Sequence, residues 1–147
     1  MRALTLGQHK GFTLIELMVV MIIIGVLAAL VAPRLMGKAD RAKVTEAKIQ
    51  IKNFETALRL FKMDNGFYPS TEQGLEALIT PPTSGQIPEN YKETGYLEKK
   101  VITADPWGNE YVYISPGERG DYDIISYGAD GLPEGDDLDA DIINWDF

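Results

Sequence analysis

The sequence contains no cysteine, and its one histidine, His9, lies among the first ten residues. Without cysteine the chain cannot form a disulfide bond, which is how many small extracytoplasmic domains are stabilised, so another stabilising element has to be sought. Beyond His9 there is neither histidine nor cysteine, which excludes Ser-His-Asp and Cys-His catalysis and the usual zinc ligand sets. Carboxylate-pair chemistry remains open.

Positive charge is also scarce. The 147 residues carry 14 lysines and arginines against 22 acidic residues, a net charge of −8, and Arg119 is the last base in the sequence. An acidic surface repels phosphate groups, so sequence-independent binding to nucleic acid is not expected.

Hydrophobic residues are concentrated in one run, residues 12–32, in which Glu16 is the only charged side chain. As a helix rising ~1.5 Å per residue, this run would measure ~31 Å, about the thickness of the hydrocarbon layer of a membrane. Arg2 and Lys10 precede the run and would hold the amino end in the cytoplasm. The run is too long for a cleaved secretory signal, and Leu30 stands where such a signal needs a small residue. An ordinary signal anchor explains the length but leaves Glu16 without a partner.

Cleavage of the chain between Gly11 and Phe12 would supply that partner. It would create an α-amino cation one helical turn from Glu16, and the amine and the carboxylate of neighbouring subunits could then neutralise each other. A resemblance to the prepilin peptidase motif of type IV pilin-like proteins is carried by residues 11–16, GFTLIE, which follow a short basic leader and begin an apolar helix. The resemblance implies cleavage after Gly11, N-methylation of Phe12 and retention of the apolar segment.

Past Pro33 the sequence predicts a helix to about Met63, with apolar residues recurring every three or four positions. This stripe is expected to cover the sheet of a small head, with charged residues largely on the other faces, and Gly66 is predicted to end the helix. The stripe comprises Val44, Ala47, Ile51, Phe54, Leu58 and Phe61, and the charged residues are Lys43, Glu46, Lys48, Lys52, Glu55, Arg59 and Lys62.

The remaining elements of the head are short. Ser70 and Gln73 have the spacing of a capping box, and residues 74–79 continue as a short helix. Residues 110–115 and 121–126 read as strands joined in a hairpin. A hairpin packed on the helix predicts an α+β head with a small antiparallel sheet.

Three further blocks, residues 64–75, 105–111 and 126–131, resemble the major pseudopilins of type II secretion systems. With the peptidase motif, the resemblance spans residues 8–145. It implies an α+β, type IV pilin-like fold, in which a long amino-terminal helix with a transmembrane half and an amphipathic half packs on a small antiparallel sheet. Adhesive type IV pilins commonly close the carboxy-terminal loop with a disulfide, which this chain cannot form.

The resemblance also predicts organisation and function. Residues 1–11 would be a cleaved leader, residues 12–32 a transmembrane and filament-core helix, and residues 33–147 a periplasmic head that includes the helix half 34–63. The chain would be anchored once in the bacterial inner membrane and would polymerise into a periplasmic filament that drives folded proteins across the outer membrane. Expected partners are further copies of the chain, minor pseudopilins, the prepilin peptidase and the inner-membrane assembly platform. The alternatives are a type IV pilin for adhesion, motility or DNA uptake, and a membrane-anchored periplasmic enzyme that uses paired carboxylates.

Residues 130–141 carry six carboxylates in twelve positions, with no base after Arg119. Runs of like charge are commonly solvated loops, and calcium, which takes 6–8 oxygen ligands, is the alternative. An EF-hand does not fit, because Ile142 stands where that loop needs glycine.

The family resemblance favours a structural calcium ion in this loop. It implies side-chain ligands from Asp130 and Asp141 and backbone carbonyl ligands from Tyr127 and Leu132, with Asp139 as a further candidate.

Overall fold

The computed structural model describes residues 11–147, without the side chains of residues 31–38. The chain divides into two compact units whose boundary lies between Lys38 and Ala39. The predicted leader, residues 1–11, lies outside the described residues except for Gly11. The predicted boundary between residues 32 and 33 stays a prediction.

Helix α1 comprises Leu14–Asn65. It ends as predicted at Gly66, whose φ of 84° suits glycine and whose N–H donates to the carbonyl of Lys62 at 2.7 Å. The side-chain amide of Asn65 also donates to the carbonyl of Phe61 at 3.0 Å. Backbone carbonyls of the last turn are therefore satisfied within the chain.

In the part of the chain that the structure describes, no helix combines the length and apolar character needed to cross a membrane. The side chains of residues 31 and 32, at the end of the predicted membrane segment, lie outside the described ones.

The predicted capping box is confirmed. The backbone N–H of Gln73 donates to Oγ of Ser70 at 3.3 Å, and the N–H of Ser70 donates to Oε1 of Gln73 at 3.0 Å. The helix that follows is a 3-10 helix of four residues, Leu75–Leu78, shorter than the predicted 74–79. Gly74 is not part of it, because its φ of 63° is outside the helical region.

Three short strands form one antiparallel sheet in the order β1-β2-β3. Strand β1 is Val112–Ile114, β2 is Asp123–Ser126 and β3 is Ile142–Ile143. The first two confirm the predicted hairpin, within the predicted ranges 110–115 and 121–126. Strand β3 was not predicted, because two residues after an acidic loop carry no alternation pattern.

The core of the head lies between one face of α1 and the sheet. The predicted stripe is confirmed, with Val44 only partly buried at its start. Phe54 packs edge-on against Tyr111, with ring centroids 5.2 Å apart, and Phe61 lies 5.2 Å from the ring of Tyr96. The buried hydrophobic residues are Ala47, Ile51, Phe54, Ala57, Leu58, Phe61, Leu75, Ala77, Leu78, Tyr96, Tyr111, Tyr113, Tyr122, Ile124 and Ile142.

Glu55 departs from the predicted polar face, since it is only 8% exposed. Its Oε2 lies 2.9 Å from Nζ of Lys52 and 4.0 Å from a guanidinium nitrogen of Arg59. These bases, three residues before and four residues after it, compensate the charge on the same helix face. Burial raises the pKa of the neighbouring Tyr122, and the charge of Glu55 raises it further. Glu55 is therefore a buried member of the charged set that was predicted to lie largely on the other faces of the helix.

Candidate functional site: the amino-terminal motif and the acidic loop

The first functional element is the start of α1, where Thr13 and Glu16 cap the helix reciprocally. The N–H of Glu16 donates to Oγ1 of Thr13 at 3.3 Å, and the N–H of Thr13 donates to Oε2 of Glu16 at 3.4 Å. This is a second capping box, which the sequence analysis missed although the Thr-x-x-Glu spacing signals it. It places the carboxylate of Glu16 against the backbone one residue beyond the Gly11–Phe12 peptide bond.

Around this motif the helix presents a continuous apolar surface. The large hydrophobic side chains from residue 12 to residue 30 are between 44% and 76% exposed. Soluble monomers rarely expose apolar patches of this extent, and such surfaces usually mark contacts with protein or membrane. The exposed residues are Phe12, Leu14, Ile15, Leu17, Met18, Val19, Val20, Met21, Ile22, Ile23, Ile24, Val26, Leu27 and Leu30.

The second element is the loop from Tyr127 to Asp141, which connects β2 to β3. It is closed on itself by a hydrogen bond from the N–H of Ala129 to the carbonyl of Leu138 at 3.1 Å. At Gly128, where φ is 65°, an added Cβ would lie 2.9 Å from backbone atoms of the returning chain. A side chain at this position would therefore prevent the two ends of the loop from approaching each other.

Asp141 is the most constrained of the predicted ligands. Its Oδ2 accepts a hydrogen bond from the N–H of Glu134 at 3.0 Å, while its Oδ1 is buried and has no hydrogen-bond partner. A buried carboxylate oxygen without a donor is unfavourable unless a cation compensates it.

The other predicted ligands are less converged. Asp130 is exposed, and its Oδ1 accepts from the N–H of Leu132 at 3.0 Å. Tyr127 directly follows the last residue of β2. At Asp139, the backbone N–H donates to the carbonyl of Asp136 at 3.1 Å. Among the described residues, no three carboxylate, imidazole or thiol side chains lie together in a cluster that could hold a metal ion. The side chains of Asp130, Asp139 and Asp141 thus do not meet.

A turn from Asp105 to Asn109 supports the entry to this loop. The carboxylate Oδ1 of Asp105 accepts from the N–H groups of Trp107 at 3.0 Å and Asn109 at 2.8 Å. Its Oδ2 accepts from the hydroxyl of Ser126 at 2.6 Å, and the Asn109 amide donates to the carbonyl of Gly128 at 3.2 Å. Residues 105–111 form one of the blocks that carry the family resemblance, but their sequence predicted no role for any of them.

Charges near the loop are mostly negative. Arg119, the last base, lies with its guanidinium 3.9 Å from the ring centroid of Trp145. Every charged side chain from residue 127 to residue 141 is acidic, so the loop favours binding of a cation over binding of an anion.

A family model described as "Type II secretion system (T2SS), protein G" matches residues 34–145, most of the chain. The chain belongs to this protein G family. A second model, described as "Prokaryotic N-terminal methylation motif", matches residues 7–32 of the same pseudopilin.

Curated relatives of this protein G chain carry the name type II secretion system core protein G. The one from Pseudomonas aeruginosa is 55% identical over 139 residues, which are 95% of this chain and 96% of the relative. The one from Vibrio cholerae is 48% identical over 138 residues, 94% of this chain and 92% of the relative. The one from Escherichia coli K12 has the same identity and coverage.

The pseudopilin is also similar in structure to a solved relative. The crystal structure of the major pseudopilin from the type 2 secretion system of enterohaemorrhagic Escherichia coli aligns with a TM-score of 0.66 and 40% sequence identity. The alignment covers 78% of this chain and 96% of that one. The predicted resemblance and the α+β, type IV pilin-like fold are confirmed. The family is one of structural pseudopilin subunits, which favours this function over an adhesive pilin and over a membrane-anchored enzyme.

Proposed function

We propose that this protein G family member polymerises through its apolar amino-terminal segment into a periplasmic pseudopilus that drives folded proteins across the outer membrane. The observation that supports this most is the exposed apolar surface of residues 12–30, in which Glu16 is the only charge. Such a surface needs an apolar environment, which lipid supplies before assembly and neighbouring helices supply in a filament.

In this function the chain passes through membrane insertion, processing and assembly. The precursor crosses the bacterial inner membrane once, with its head in the periplasm. The prepilin peptidase cuts after Gly11 and methylates Phe12, and the mature subunit then joins minor pseudopilins on the inner-membrane assembly platform. The subunit acts as a structural element of the filament and not as a catalyst.

Within the filament, Glu16 pairs with the α-amine of Phe12 on an adjacent subunit. The hydrogen bond that the carboxylate of Glu16 accepts from the N–H of Thr13, at 3.4 Å, is long and exposed, so it holds the carboxylate only weakly. In an apolar bundle the carboxylate requires a partner, because leaving one charge of a fully buried ion pair uncompensated costs roughly 3–5 kcal/mol. The carboxylate can therefore exchange its capping role for a contact between subunits.

Two substitutions separate these roles of Glu16. Glu16→Ala removes both the cap and the charge, whereas Thr13→Ala removes the hydroxyl of the cap and keeps the charge. We expect both variants to be processed, and we expect only Glu16→Ala to lose most of its filament. Processing is measured by the mass of the mature chain, and assembly by the amount of chemically crosslinked subunit oligomer in intact cells.

The outcomes distinguish the mechanisms. A wild-type amount of filament from processed Glu16→Ala would remove the pairing argument. Equal losses in Glu16→Ala and Thr13→Ala would mean that Glu16 acts by capping the helix.

We also infer that the loop from Tyr127 to Asp141 holds one structural calcium ion. The buried Oδ1 of Asp141, which has no hydrogen-bond donor, fits a cation, as do the six carboxylates of residues 130–141. Asp130 and Asp141 would bind it through their side chains, with Asp139 as a further ligand, and Tyr127 and Leu132 would contribute their carbonyls. When bound, the ion neutralises carboxylate repulsion within the loop.

The loop residues then keep the carboxy-terminal segment in place. Asp141 directly precedes β3, in which Ile142 is buried against the sheet. An open loop would release this strand, so chelation of calcium is expected to lower the melting temperature of the head.

A further inference from the structure

The two residues on either side of Tyr127 are both fixed by the turn from Asp105 to Asn109. Before Tyr127, the hydroxyl of Ser126 donates to Oδ2 of Asp105 at 2.6 Å. After it, the carbonyl of Gly128 accepts from Nδ2 of Asn109 at 3.2 Å. The backbone of Tyr127 is therefore held from both sides by side chains distant in sequence.

The turn itself is rigid enough to serve as a support. Asp105 is 5% exposed and its Oδ1 accepts two backbone N–H groups, those of Trp107 and Asn109. The backbone N–H of Asp105 also donates to the carbonyl of Asn109 at 2.8 Å, and the N–H of Gly108 donates to the carbonyl of Asp105 at 3.0 Å. Four hydrogen bonds thus fix the position from which the Asn109 side chain extends.

Asn109 also occupies the space beside a second loop glycine. A Cβ built on Gly131, where φ is 68°, would lie 2.9 Å from Oδ1 of Asn109. The amide therefore packs between the carbonyl of Gly128 and the backbone at Gly131. These two contacts bracket the segment that contains Asp130.

We propose that Asn109 is a positioning residue for the calcium loop, setting the direction of the Tyr127 carbonyl through its hydrogen bond to Gly128. The inference rests on the proposed calcium site. A backbone carbonyl has no side-chain torsion with which to adjust its aim, so its direction depends on the neighbouring peptide groups. Residues that orient metal ligands without touching the metal typically contribute about 10–100-fold to metal affinity.

The test measures the calcium affinity of the full mature chain in non-ionic detergent micelles by isothermal titration calorimetry. Asn109→Ala removes the amide, and we expect it to raise the calcium Kd by roughly 10–100-fold. Asn65→Ala is the matched control, since the Asn65 amide also fixes a loop, by donating to the hydroxyl of Tyr96 at 2.9 Å. That loop lies outside the acidic segment, so the control should leave the Kd unchanged.

A second variant guards against loss of folding in Asn109→Ala. Asn109→Asp keeps the size and shape of the side chain. The carboxylate cannot donate to the carbonyl of Gly128, and it adds a negative charge. If positioning decides affinity, the Kd rises in this variant as well. If the total charge of the loop decides it, the Kd falls, which would overturn the proposal. Melting of each variant in chelator shows whether the calcium-free head is folded.

The results separate this inference from the calcium proposal. Wild-type chain that takes up calcium, together with an unchanged Kd in Asn109→Ala, would overturn the positioning role alone. Wild-type chain that takes up no calcium would overturn both. A raised Kd in both Asn109 variants, with Asn65→Ala at the wild-type value, supports the proposal.

Discussion

Substitution of Asp141 by asparagine is expected to have opposite effects with and without calcium. Asparagine keeps an oxygen that can accept the N–H of Glu134, now bonded to Oδ2 at 3.0 Å. It removes the charge from a carboxylate whose Oδ1 is buried without a donor. In chelator, Asp141→Asn should therefore be more stable than the wild type, and in calcium it should be less stable.

The magnitudes follow from burial and from the law of mass action. Leaving a buried polar atom unsatisfied costs about 1–3 kcal/mol, and more when the group is charged, so exchanging the half-buried carboxylate of Asp141 for a neutral amide should gain ~1 kcal/mol in chelator. Free calcium at ~100 times its Kd should add ~2.7 kcal/mol to the wild type and little to the variant. Unfolding entropy is ~2.1 cal/mol/K per residue, so a head of ~110 residues shifts its melting temperature by ~4 °C per kcal/mol. Chelation should thus lower the wild-type melting temperature by ~12 °C.

The assay is thermal unfolding of the full mature chain in non-ionic detergent, followed by tryptophan fluorescence in calcium and in chelator. Trp145 lies two residues beyond β3 and therefore reports directly on the carboxy-terminal segment. The expected result is a crossing, with Asp141→Asn melting ~4 °C higher than wild type in chelator and lower in calcium. Wild-type curves that superimpose with and without calcium would refute the metal site. A variant that is less stable than wild type in both conditions would refute the argument from the unpaired oxygen.

Two further predictions concern processing and alkaline stability. Gly11→Val should block cleavage without disturbing the fold, because no atom lies within 4 Å of a Cβ added at Gly11. Amino-terminal sequencing should then start at Met1, and a start at Phe12 would contradict the need for glycine. Burial raises the pKa of Tyr113 to about 12, against ~10 in an unfolded chain. The stability that the neutral phenol contributes is complete below pH ~10 and is lost as pH rises through about 12. The free energy of unfolding of Tyr113→Phe should therefore fall less steeply with pH over this interval than that of the wild type. Denaturant titrations at each pH measure this, and equal slopes for variant and wild type would contradict it.

Much of the helical part of the fold follows from sequence pattern. The spacing of Ala47, Ile51 and Phe61 predicted a buried face because a helix returns to the same side every 3.6 residues. Gly66 and the pair Ser70 and Gln73 predicted their local structures because each supplies a specific backbone conformation or hydrogen bond. These signals are local, so tertiary structure had little scope to override them.

The features that sequence pattern missed depend on contacts between distant residues. Strand β3 exists because β2 offers it a free edge, and its two residues have no pattern of their own. Glu55 is buried near Tyr122, a residue distant in sequence whose pKa the charge of Glu55 raises. The role of Asp105 became visible only when Ser126 was brought to 2.6 Å from its carboxylate. The acidic residues of the loop indicated a cation but not which of them would converge.

The pairing of β3 with β2 has a consequence for how this protein can vary. Ser126 lies opposite Ile142 in the sheet. The backbone N–H of Asn144 donates to the carbonyl of Ile124 at 3.1 Å, and the N–H of Ile124 donates to Oδ1 of Asn144 at 2.9 Å. The register is therefore set on the sheet side of the loop, by residues outside its exposed tip at 135–137, which contains none of the proposed calcium ligands. Doubling the length of a flexible loop costs only ~0.6 kcal/mol of closure free energy. Insertions and deletions at the tip can thus accumulate while the sheet keeps its alignment, leaving the tip free to diversify.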